Sequence, residues 1–387
     1  MSIGKRSLAL VAAASAALLS LTACGSSGSS ATSSTASPAA SSSSAAATDY
    51  AAILKQATDG VLPPLPTSAP KPTPGKKVWV VSCGQQAASC ASISAASVEA
   101  AKSVGWTATV CDGKLNPQSW GDCIRQGTAA KVDGIITISV DCVVVTAPLK
   151  EAAAAGVKTI SVGGTDCPET GGAPTYTAVA KWLPDTDSLL KWYEGVGHTA
   201  AQYAIGSSQG QAKVLLHNFK DAVWGASLTK GFKDELATCS GCSITRELEL
   251  GNNDLTGGTL ASKFSTALLQ SKDATTVFVP LDIWLVLGLA EGIASSGKKL
   301  TVIGSFGDAA NMDLIRAGKQ TASVNNDPVH MGYAGIDTAI RVFAGQPLES
   351  EGLGWQTVDK DNNLPASGPY REPRPIEAPY KAIWGVG

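Results

Sequence analysis

Residues 131–141 read Lys-Val-Asp-Gly-Ile-Ile-Thr-Ile-Ser-Val-Asp, and this stretch decides the fold class. Its centre, 134–138, is a short apolar run bounded by polar residues, which predicts a strand buried on both faces. A helix is predicted over 146–155, where Gly156 ends it, and a second buried strand follows over 158–162. A strand, a helix and a strand in this order indicate a parallel sheet with helices covering both of its faces.

The same alternation of buried strands and helices continues on both sides of this unit. Strands are predicted at 78–81, 107–111, 134–138, 158–162, 212–217, 243–250, 276–279, 300–304 and 321–324. Helices are predicted between them at 89–104, 117–130, 146–155, 184–205, 227–237, 258–270 and 282–295, and a last one at 329–344. Two consecutive runs of this pattern predict an α/β fold made of two doubly wound parallel-sheet lobes.

The first residues have the pattern of an export signal. Two basic residues precede an apolar run over 7–21, which indicates a secretory signal peptide over 1–23, too short to count as a spanning helix. Leu-Thr-Ala-Cys at 21–24 resembles a bacterial lipobox, so Cys24 is expected to carry lipid. The protein is then expected outside the cytoplasm, anchored to the cell membrane. A plain signal peptide cut near Ala23, with a spare thiol after it, is the alternative.

Residues 24–75 are expected to form a disordered tether, because they are rich in Ser and Ala and then in Pro. A short helix at 49–59 is the one element predicted within it, and the folded body is expected to begin near Lys76. The whole chain carries 32 acidic and 30 basic residues, so its near-neutral balance gives no reason to expect a nucleic-acid partner. Its hydrophobic content of 44% supports a substantial core.

The nine cysteines predict disulfides, since an exported protein meets oxidising conditions. Setting the expected lipidation site aside leaves an even number, which sequence alone cannot pair uniquely. Proximity along the chain favours the pairs Cys83–Cys90, Cys111–Cys123, Cys142–Cys167 and Cys239–Cys242. A metal site is disfavoured, because the three histidines are far apart and the last of these pairs has no second pair at zinc spacing.

A family resemblance becomes specific near the C-terminus. Val-Ile-Gly-Ser-Phe-Gly-Asp at 302–308 precedes a helical stretch ending in Ala-Gly-Lys at 317–319, and Thr-Ala-Ser-Val-Asn-Asn-Asp-Pro follows at 321–328. This order resembles the C-terminal half of type I periplasmic binding proteins, the ribose-binding-like group of sugar ABC transporter substrate-binding lipoproteins. The strand–helix–strand unit at 131–160 is similar to that family's third strand, helix and fourth strand. The resemblance covers about 76–347.

The resemblance implies two lobes joined by a three-crossover hinge, with a small ligand held between them where the strands end. The implied N-terminal lobe consists of 76–179 and 327–353, and the implied C-terminal lobe of 180–326 and 354–387. The crossovers are expected near 178–181, 325–327 and 353–355. The Pro-rich C-terminal tail departs from the family pattern and is expected to wrap the surface of one lobe.

Candidate ligand-binding residues follow the predicted strands, where carboxylates, amides and aromatic rings can bind hydroxyl groups and apolar faces of a ligand. They are Ser82, Gln85, Gln86, Asp141, Thr165 and Asp166 in the first lobe, and Asn218, Phe219, Trp224, Asp282, Trp284, Phe306, Asp308 and the hinge residue Asn326 after it. Asp141 matches the family's aspartate that ends the third strand and contacts ligand. A helix N-cap is the alternative for Asp141 and Asp282, and a core position is the alternative for Trp224 and Trp284.

Three positions depart from the ribose-binding pattern. The family's arginines correspond to Gly163-Gly164-Thr165 and to Ala226, and its asparagine corresponds to Leu281. Because small side chains cannot replace a guanidinium fork, a ribose-like pentose is disfavoured, and another sugar, a polyol or a small aromatic solute stays open.

The resemblance implies a non-enzymatic, extracytoplasmic solute-binding lipoprotein of an ABC importer that closes about its hinge, works as a monomer and needs no cofactor. A sensor for a membrane receptor is the alternative. A secreted hydrolase is disfavoured, since Gly-Ser-Ser-Gln-Gly at 206–210 follows a predicted helix, whereas a nucleophile elbow follows a strand.

Overall fold

The computed structural model describes residues 48–219, 221–251, 253–254 and 257–387. The expected signal peptide (1–23), the expected lipidation site Cys24 and the tether as far as residue 47 lie outside the described residues. Within the described part, no helix combines the length and the apolar composition that a membrane span requires.

Eleven helices are described, most of them at the predicted places. They are α1 (Tyr50–Asp59), α2 (Ala88–Ser103), α3 (Pro117–Ala129), α4 (Cys142–Ala154), α5 (Leu189–Ser207), α6 (Val223–Leu236), α7 (Leu260–Gln270), α8 (Ala290–Ser295), α9 (Ala309–Arg316), α10 (Pro328–Ala344) and α11 (Glu377–Trp384). A π-helical turn at Leu285–Leu289 precedes α8, and a 3₁₀ turn at Cys167–Thr170 follows the fourth strand.

The strands form two sheets, one in each lobe. They are β1 (Lys77–Ser82), β2 (Thr107–Asp112), β3 (Gly134–Ile138), β4 (Lys158–Val162), β5 (Ala178–Val179), β6 (Lys213–Phe219), β7 (Ser243–Leu250), β8 (Thr276–Val279), β9 (Thr301–Ser305), β10 (Ala322–Asn325) and β11 (Gln356–Asp359). The N-terminal sheet has the order β2-β1-β3-β4-β5 and is parallel throughout. The C-terminal sheet has the order β11-β10-β9-β8-β6-β7, and its only antiparallel pair among the described strands is β10–β11.

The predicted α/β fold with two parallel-sheet lobes is therefore confirmed. All five residues of β3 are buried, as its isoleucine-rich sequence predicts, and helices cover the sheet. Helix α10 returns the chain to the N-terminal lobe and packs on α2. Gly332 permits this close approach, because a Cβ there would lie 2.5 Å from Cβ of Ala96.

Disulfides join the four pairs favoured by proximity, with Cα–Cα distances between 5.3 and 5.8 Å. The pair Cys142–Cys167 fixes the start of α4 to the loop after β4. Residues that the sequence places at two separate strand ends are thereby held together.

The two chain ends differ from their expected descriptions. The expected disordered tether 24–75 is ordered from Asp49 onward: α1 packs on α5, and Ala57 is fully buried. The segment 354–387, assigned to the C-terminal lobe, ends in α11, which instead packs on α10 of the N-terminal lobe. The short helix predicted at 49–59 is present as α1. Its docking on α5 and the packing of α11 on α10 were not predicted, because both depend on surfaces of the folded body.

Candidate functional site

The carboxyl ends of strands from both sheets meet where the lobes face each other. Asp141 follows β3 of the N-terminal lobe, and its Oδ2 accepts a hydrogen bond from the backbone N–H of Val223 in the other lobe, 3.3 Å away. Its Oδ1 accepts from both the N–H and the hydroxyl of Thr165, at 2.9 and 2.8 Å. Val223 is the first residue of α6, so a carboxylate at this helix N-terminus is electrostatically favoured. The Asp141 side chain does not cap α4, which argues against the N-cap alternative.

Five rings line the same region from the C-terminal lobe, and we call them the aromatic cluster. Its members are Trp192, Tyr193, Phe219, Trp224 and Phe306. Trp224 stacks on Tyr193 with 5.2 Å between ring centroids, and its ring meets Phe306 edge-on at 5.7 Å and Phe219 at 5.5 Å. Trp192 stacks on Phe306 at 6.0 Å. Trp192, Tyr193 and Phe219 are buried, so only the partly exposed rings of Trp224 and Phe306 can offer a flat apolar face to a guest molecule.

Tyr193 also bridges the two lobes. Its hydroxyl donates a hydrogen bond of 2.9 Å to the carbonyl oxygen of Gly163, which follows β4. Burial of the phenol, with Asp141 and Glu169 nearby, raises the pKa of Tyr193 well above its ordinary value, so the hydroxyl stays a donor.

Phe306 has an unusual backbone conformation. Its φ of +62° lies in the left-handed region, which is strained for a bulky side chain. The neighbouring chain holds it there: the N–H of Phe306 donates to the carbonyl of Val324, and the N–H of Gly307 donates to Oδ1 of Asn325 at 2.6 Å. Strain of this kind is typical of residues that serve a binding site.

Asp282 lies beneath this loop and not in the gap. It is fully buried; its Oδ2 accepts from Nε2 of Gln320 at 2.8 Å, and its carbonyl accepts from Nδ2 of Asn311 at 2.9 Å. Burial raises the pKa of the Asp282 carboxyl to about 8, with nearby Asp308 adding to the rise. Gly304 leaves room for this carboxyl, because a Cβ there would overlap Oδ1 at 1.3 Å. Asp282 therefore supports the floor of the site.

Other predicted residues have local partners within their own lobe. Nε2 of Gln85 donates to Oγ of Ser82 at 2.8 Å, while Gln86 is exposed beside them. Asp166 accepts from the N–H groups of Cys167, Thr175 and Tyr176 and so organises the 3₁₀ turn.

Four more predicted residues lie in the C-terminal lobe or at the hinge. Nδ2 of Asn218 donates to Glu247 at 2.9 Å, and Asp308 caps α9 through the N–H of Ala310 at 2.9 Å. Nδ2 of Asn326 lies 3.0 Å from Sδ of Met331. Trp284 is 1% exposed and packs on Phe219 and His217 in the lobe core, as its core alternative predicts.

The structure thus brings Asp141, Thr165, Phe219, Trp224 and Phe306 to one place. Sequence reasoning missed Trp192 and Tyr193. The available signal was a Trp-Tyr pair near the start of the long helix after the first crossover, where an aromatic pair can reach both lobes.

Two other features do not form the site. Cys142, Asp166 and Cys167 place three possible metal-ligand atoms within 4.8 Å of one another, but the two sulfurs are joined in a disulfide. A cavity of about 450 Å³ lined by Ser208, Thr275 and Thr301 lies at the opposite edge of the C-terminal sheet, where its strands begin.

The comparisons with known proteins agree with this geometry. Residues 90–347, two thirds of the chain, match the family model of the periplasmic binding protein domain. None of the curated proteins compared with the chain matches it.

Solved structures of ABC transporter solute-binding proteins superpose on the chain. One from Agrobacterium vitis bound to α-D-tagatopyranose has 22% sequence identity and a TM-score of 0.65, covering 77% of this chain and 100% of its own. The glucose-galactose binding protein GanP from Geobacillus stearothermophilus has 18% identity and a TM-score of 0.62, covering 75% of this chain and 99% of its own. One from Burkholderia graminis in complex with D-arabinose has 18% identity and a TM-score of 0.62, covering 76% of this chain and 98% of its own.

At these identities the solved structures share the fold, while the family match covers most of both lobes. The family and these structures consist of solute-binding proteins and not of enzymes. The chain belongs to the periplasmic binding protein domain family.

Proposed function

We propose that the protein is the extracytoplasmic solute-binding lipoprotein of an ABC importer, and that its two lobes close about the hinge around one small sugar or sugar-like molecule. The observation that carries this proposal is the contact between Asp141 of one lobe and Val223 of the other, at the ends of parallel strands. The same carboxylate is positioned to accept ligand hydroxyl groups when the lobes separate.

The ligand class follows from the groups that face the gap. The carboxylate of Asp141 and the hydroxyl of Thr165 bind hydroxyl groups, and the rings of Trp224 and Phe306 cover the apolar face of a pyranose. Two of the structures compared above hold tagatose and arabinose, and the third is a glucose-galactose binding protein; all four sugars present such faces.

A small aromatic or less polar solute is the second candidate. The aromatic cluster places the partly exposed rings of Trp224 and Phe306 at the site, while Gly163 and Ala226 stand where guanidinium groups would bind a pentose. A ring-shaped guest would stack on Trp224 as Tyr193 does now.

The cellular role rests on the expected export signal, on the lipid at Cys24 and on the four disulfides, which persist outside the cytoplasm. The partner is a membrane permease that recognises the closed form, and the protein acts as a monomer. A sensor that reports to a receptor would use the same closure. Ligand-dependent stimulation of ATP hydrolysis by the reconstituted transporter separates the two roles.

The proposal is tested by thermal-shift measurements of the purified protein with hexoses, pentoses, polyols and small aromatic acids. A ligand present at a hundred times its Kd stabilises the protein by about 2.7 kcal/mol. We expect one class to raise the melting temperature of the wild type but not of Asp141→Asn. Asp313→Asn, an exposed carboxylate on α9, is the matched control and should retain the shift. A shift that survives in Asp141→Asn, or no shift with any compound, contradicts the proposal.

A further inference from the structure

The two chain ends add a second set of connections between the lobes. We define the N-terminal arm as residues 50–76 and the C-terminal tail as residues 360–384. Both lie outside the residues matched to the family, 90–347. We propose that they form a strap of two extra hinge crossings, that the strap holds the lobes closed in the absence of ligand, and that Arg374 is its positioning residue.

The N-terminal arm runs from the C-terminal lobe to the N-terminal lobe. Its helix α1 packs on α5 of the C-terminal lobe, where Leu54 lies against Gly206. Val61 then exchanges two backbone hydrogen bonds of 2.8 Å with Trp355 of the third crossover. Farther along, the carbonyl of Thr73 accepts from the indole N–H of Trp106 in the N-terminal lobe at 2.8 Å. The arm is therefore attached on both sides of the hinge.

The C-terminal tail makes the same crossing beside it. Tyr370 packs in a small cluster of the C-terminal lobe with Met312 and Val358. Nε of Arg371 then donates to Oδ2 of Asp327, which begins α10 after the second crossover, at 2.7 Å. Finally, the indole N–H of Trp384 in α11 donates to Oδ1 of Asp337 in α10 at 2.7 Å. Two of the three family crossovers are thus joined to the terminal segments.

Arg374 ties the parts of the strap together. Its guanidinium donates to the carbonyl of Pro63 in the arm, to the carbonyl of Gly352 in the third crossover at 3.1 Å, and to Oε2 of Glu372 in the tail at 2.8 Å. The guanidinium is largely buried, as 24% of the side chain is exposed. A planar guanidinium presents five donors in a fixed fork and so holds three chain segments in one geometry, whereas the donors of a lysine ammonium rotate on a flexible stem. Glycine at 352 lets the arm approach, since a Cβ there would lie 2.3 Å from the carbonyl oxygen of Pro64.

The strap changes the balance between open and closed forms. In a hinge of three crossovers, opening rotates each connection about a few flexible residues. Here it must also break or stretch the bonds of Arg374 and Arg371, while the closed form keeps the contacts Asp141–Val223 and Tyr193–Gly163. The open form is therefore less populated than it would be with the three crossovers alone. The strap thus sets the fraction of molecules whose site is open to a ligand.

The test measures opening directly by amide hydrogen exchange without ligand. As the first residue of α6, Val223 has no carbonyl partner inside the helix, so its bond to Asp141 protects its N–H only while the lobes are closed. Arg374→Ala should speed exchange at this amide about tenfold, the change expected from losing one charge-assisted hydrogen bond. A second variant inserts eight Gly and Ser residues after Pro375, which lengthens the tail and removes no side chain. It should also speed exchange at the amide of Val223.

Two controls separate opening from unfolding. Arg125→Ala removes an exposed Arg–Glu151 pair on the N-terminal lobe and should leave Val223 unchanged. Amides of β3 exchange only through unfolding of the lobe and should be unaffected in every variant. Equal acceleration of β3 and Val223, or wild-type exchange at Val223 in both strap variants, overturns the proposal. Since no ligand is present, either result is independent of the solute-binding test above.

Discussion

At the scale of single residues, the two carboxylate oxygens of Asp141 have different partners and should be separable by mutation. Asp141→Ala leaves the N–H and the hydroxyl of buried Thr165 without an acceptor, which should lower the free energy of unfolding by about 1–3 kcal/mol. Asp141→Asn keeps one acceptor for Thr165 and should cost less than about 1 kcal/mol, although its amide would face the N–H of Val223. Urea denaturation without ligand measures both, and equal losses in the two variants would show that the Thr165 bonds contribute nothing.

A second residue-scale prediction concerns Asp282 and pH. Burial raises the pKa of its carboxyl from 3.8 to about 8, so the folded form holds the proton more tightly than the unfolded form does. The resulting stabilisation is complete below about pH 4 and is lost as pH rises through about 8, with a slope of at most about 1.4 kcal/mol per pH unit. Asp282→Asn, which cannot ionise, should therefore gain stability relative to the wild type between pH 5 and 8.

The measurement for Asp282 is the difference between wild type and Asp282→Asn in urea unfolding at each pH, because other titrating groups cancel in that difference. Both proteins keep a hydrogen-bonding oxygen for Gln320, so a large loss at low pH is not expected. Parallel curves for the two proteins across this range would show that the folded carboxyl is already ionised.

The same residues show how far a sequence can locate a site. The sequence predicts the strand ends, because short apolar runs end there at polar residues. The predicted pairs Asp141–Thr165 and Trp224–Phe306 are in contact in the structure. The direction in which each side chain points could not be predicted from the sequence. The carboxyl of Asp282 lies beneath the Phe306 loop because Gly304 leaves space for it there. Gly304 belongs to another strand, twenty-two positions farther along the chain, so no local pattern around Asp282 reports it.

At the scale of elements, prediction succeeded where periodicity was strong. Every predicted strand is present. Strand β5 was missed because two residues carry too little pattern, and β11 was missed because Gln-Thr-Val-Asp has no apolar run. The helix predicted at 282–295 is instead a π-helical turn followed by α8. Gly288 has a φ of +123° there, a conformation that interrupts a regular helix and that sequence periodicity does not report.

The disulfides give a prediction at this scale, because they close loops of different length. Replacing Cys142 and Cys167, 25 positions apart, by Ser should lower the free energy of unfolding by about 3.5 kcal/mol. Replacing Cys239 and Cys242, only 3 positions apart, should cost about 2 kcal/mol and is the matched control. Urea unfolding under non-reducing conditions measures both. A larger loss for the short loop would contradict the view that loop closure dominates.

At the scale of the whole molecule, the two lobes were predictable and the paths of the chain ends were not. Alternating strands and helices define two sheets from local patterns, but the docking of an arm depends on grooves that only the folded body provides. The Pro-rich stretch from Pro63 to Pro74 is typical of an extended linker, and neither a helix nor a strand forms in it. The partners of the N-terminal arm, Trp355 for Val61 and Arg374 for Pro63, lie about three hundred positions along the chain, beyond the reach of any local pattern.

If the N-terminal arm belongs to the folded body, removing its helix must cost stability. Deleting residues 49–60 exposes the face of α5 that α1 covers and removes the bond from Gln356 to the carbonyl of Asp59. Several apolar side chains of α1, among them Ala57 and Leu54, lose their burial, so the free energy of unfolding should fall by about 3 kcal/mol. Deleting residues 30–41, an equally long stretch of the Ser- and Ala-rich segment, is the matched control and should change it by less than about 0.5 kcal/mol. Urea denaturation followed by tryptophan fluorescence measures both deletions. Equal effects of the two deletions would mean that the packing of α1 on the C-terminal lobe does not stabilise the fold. The arm would then act as a linker as far as the hinge.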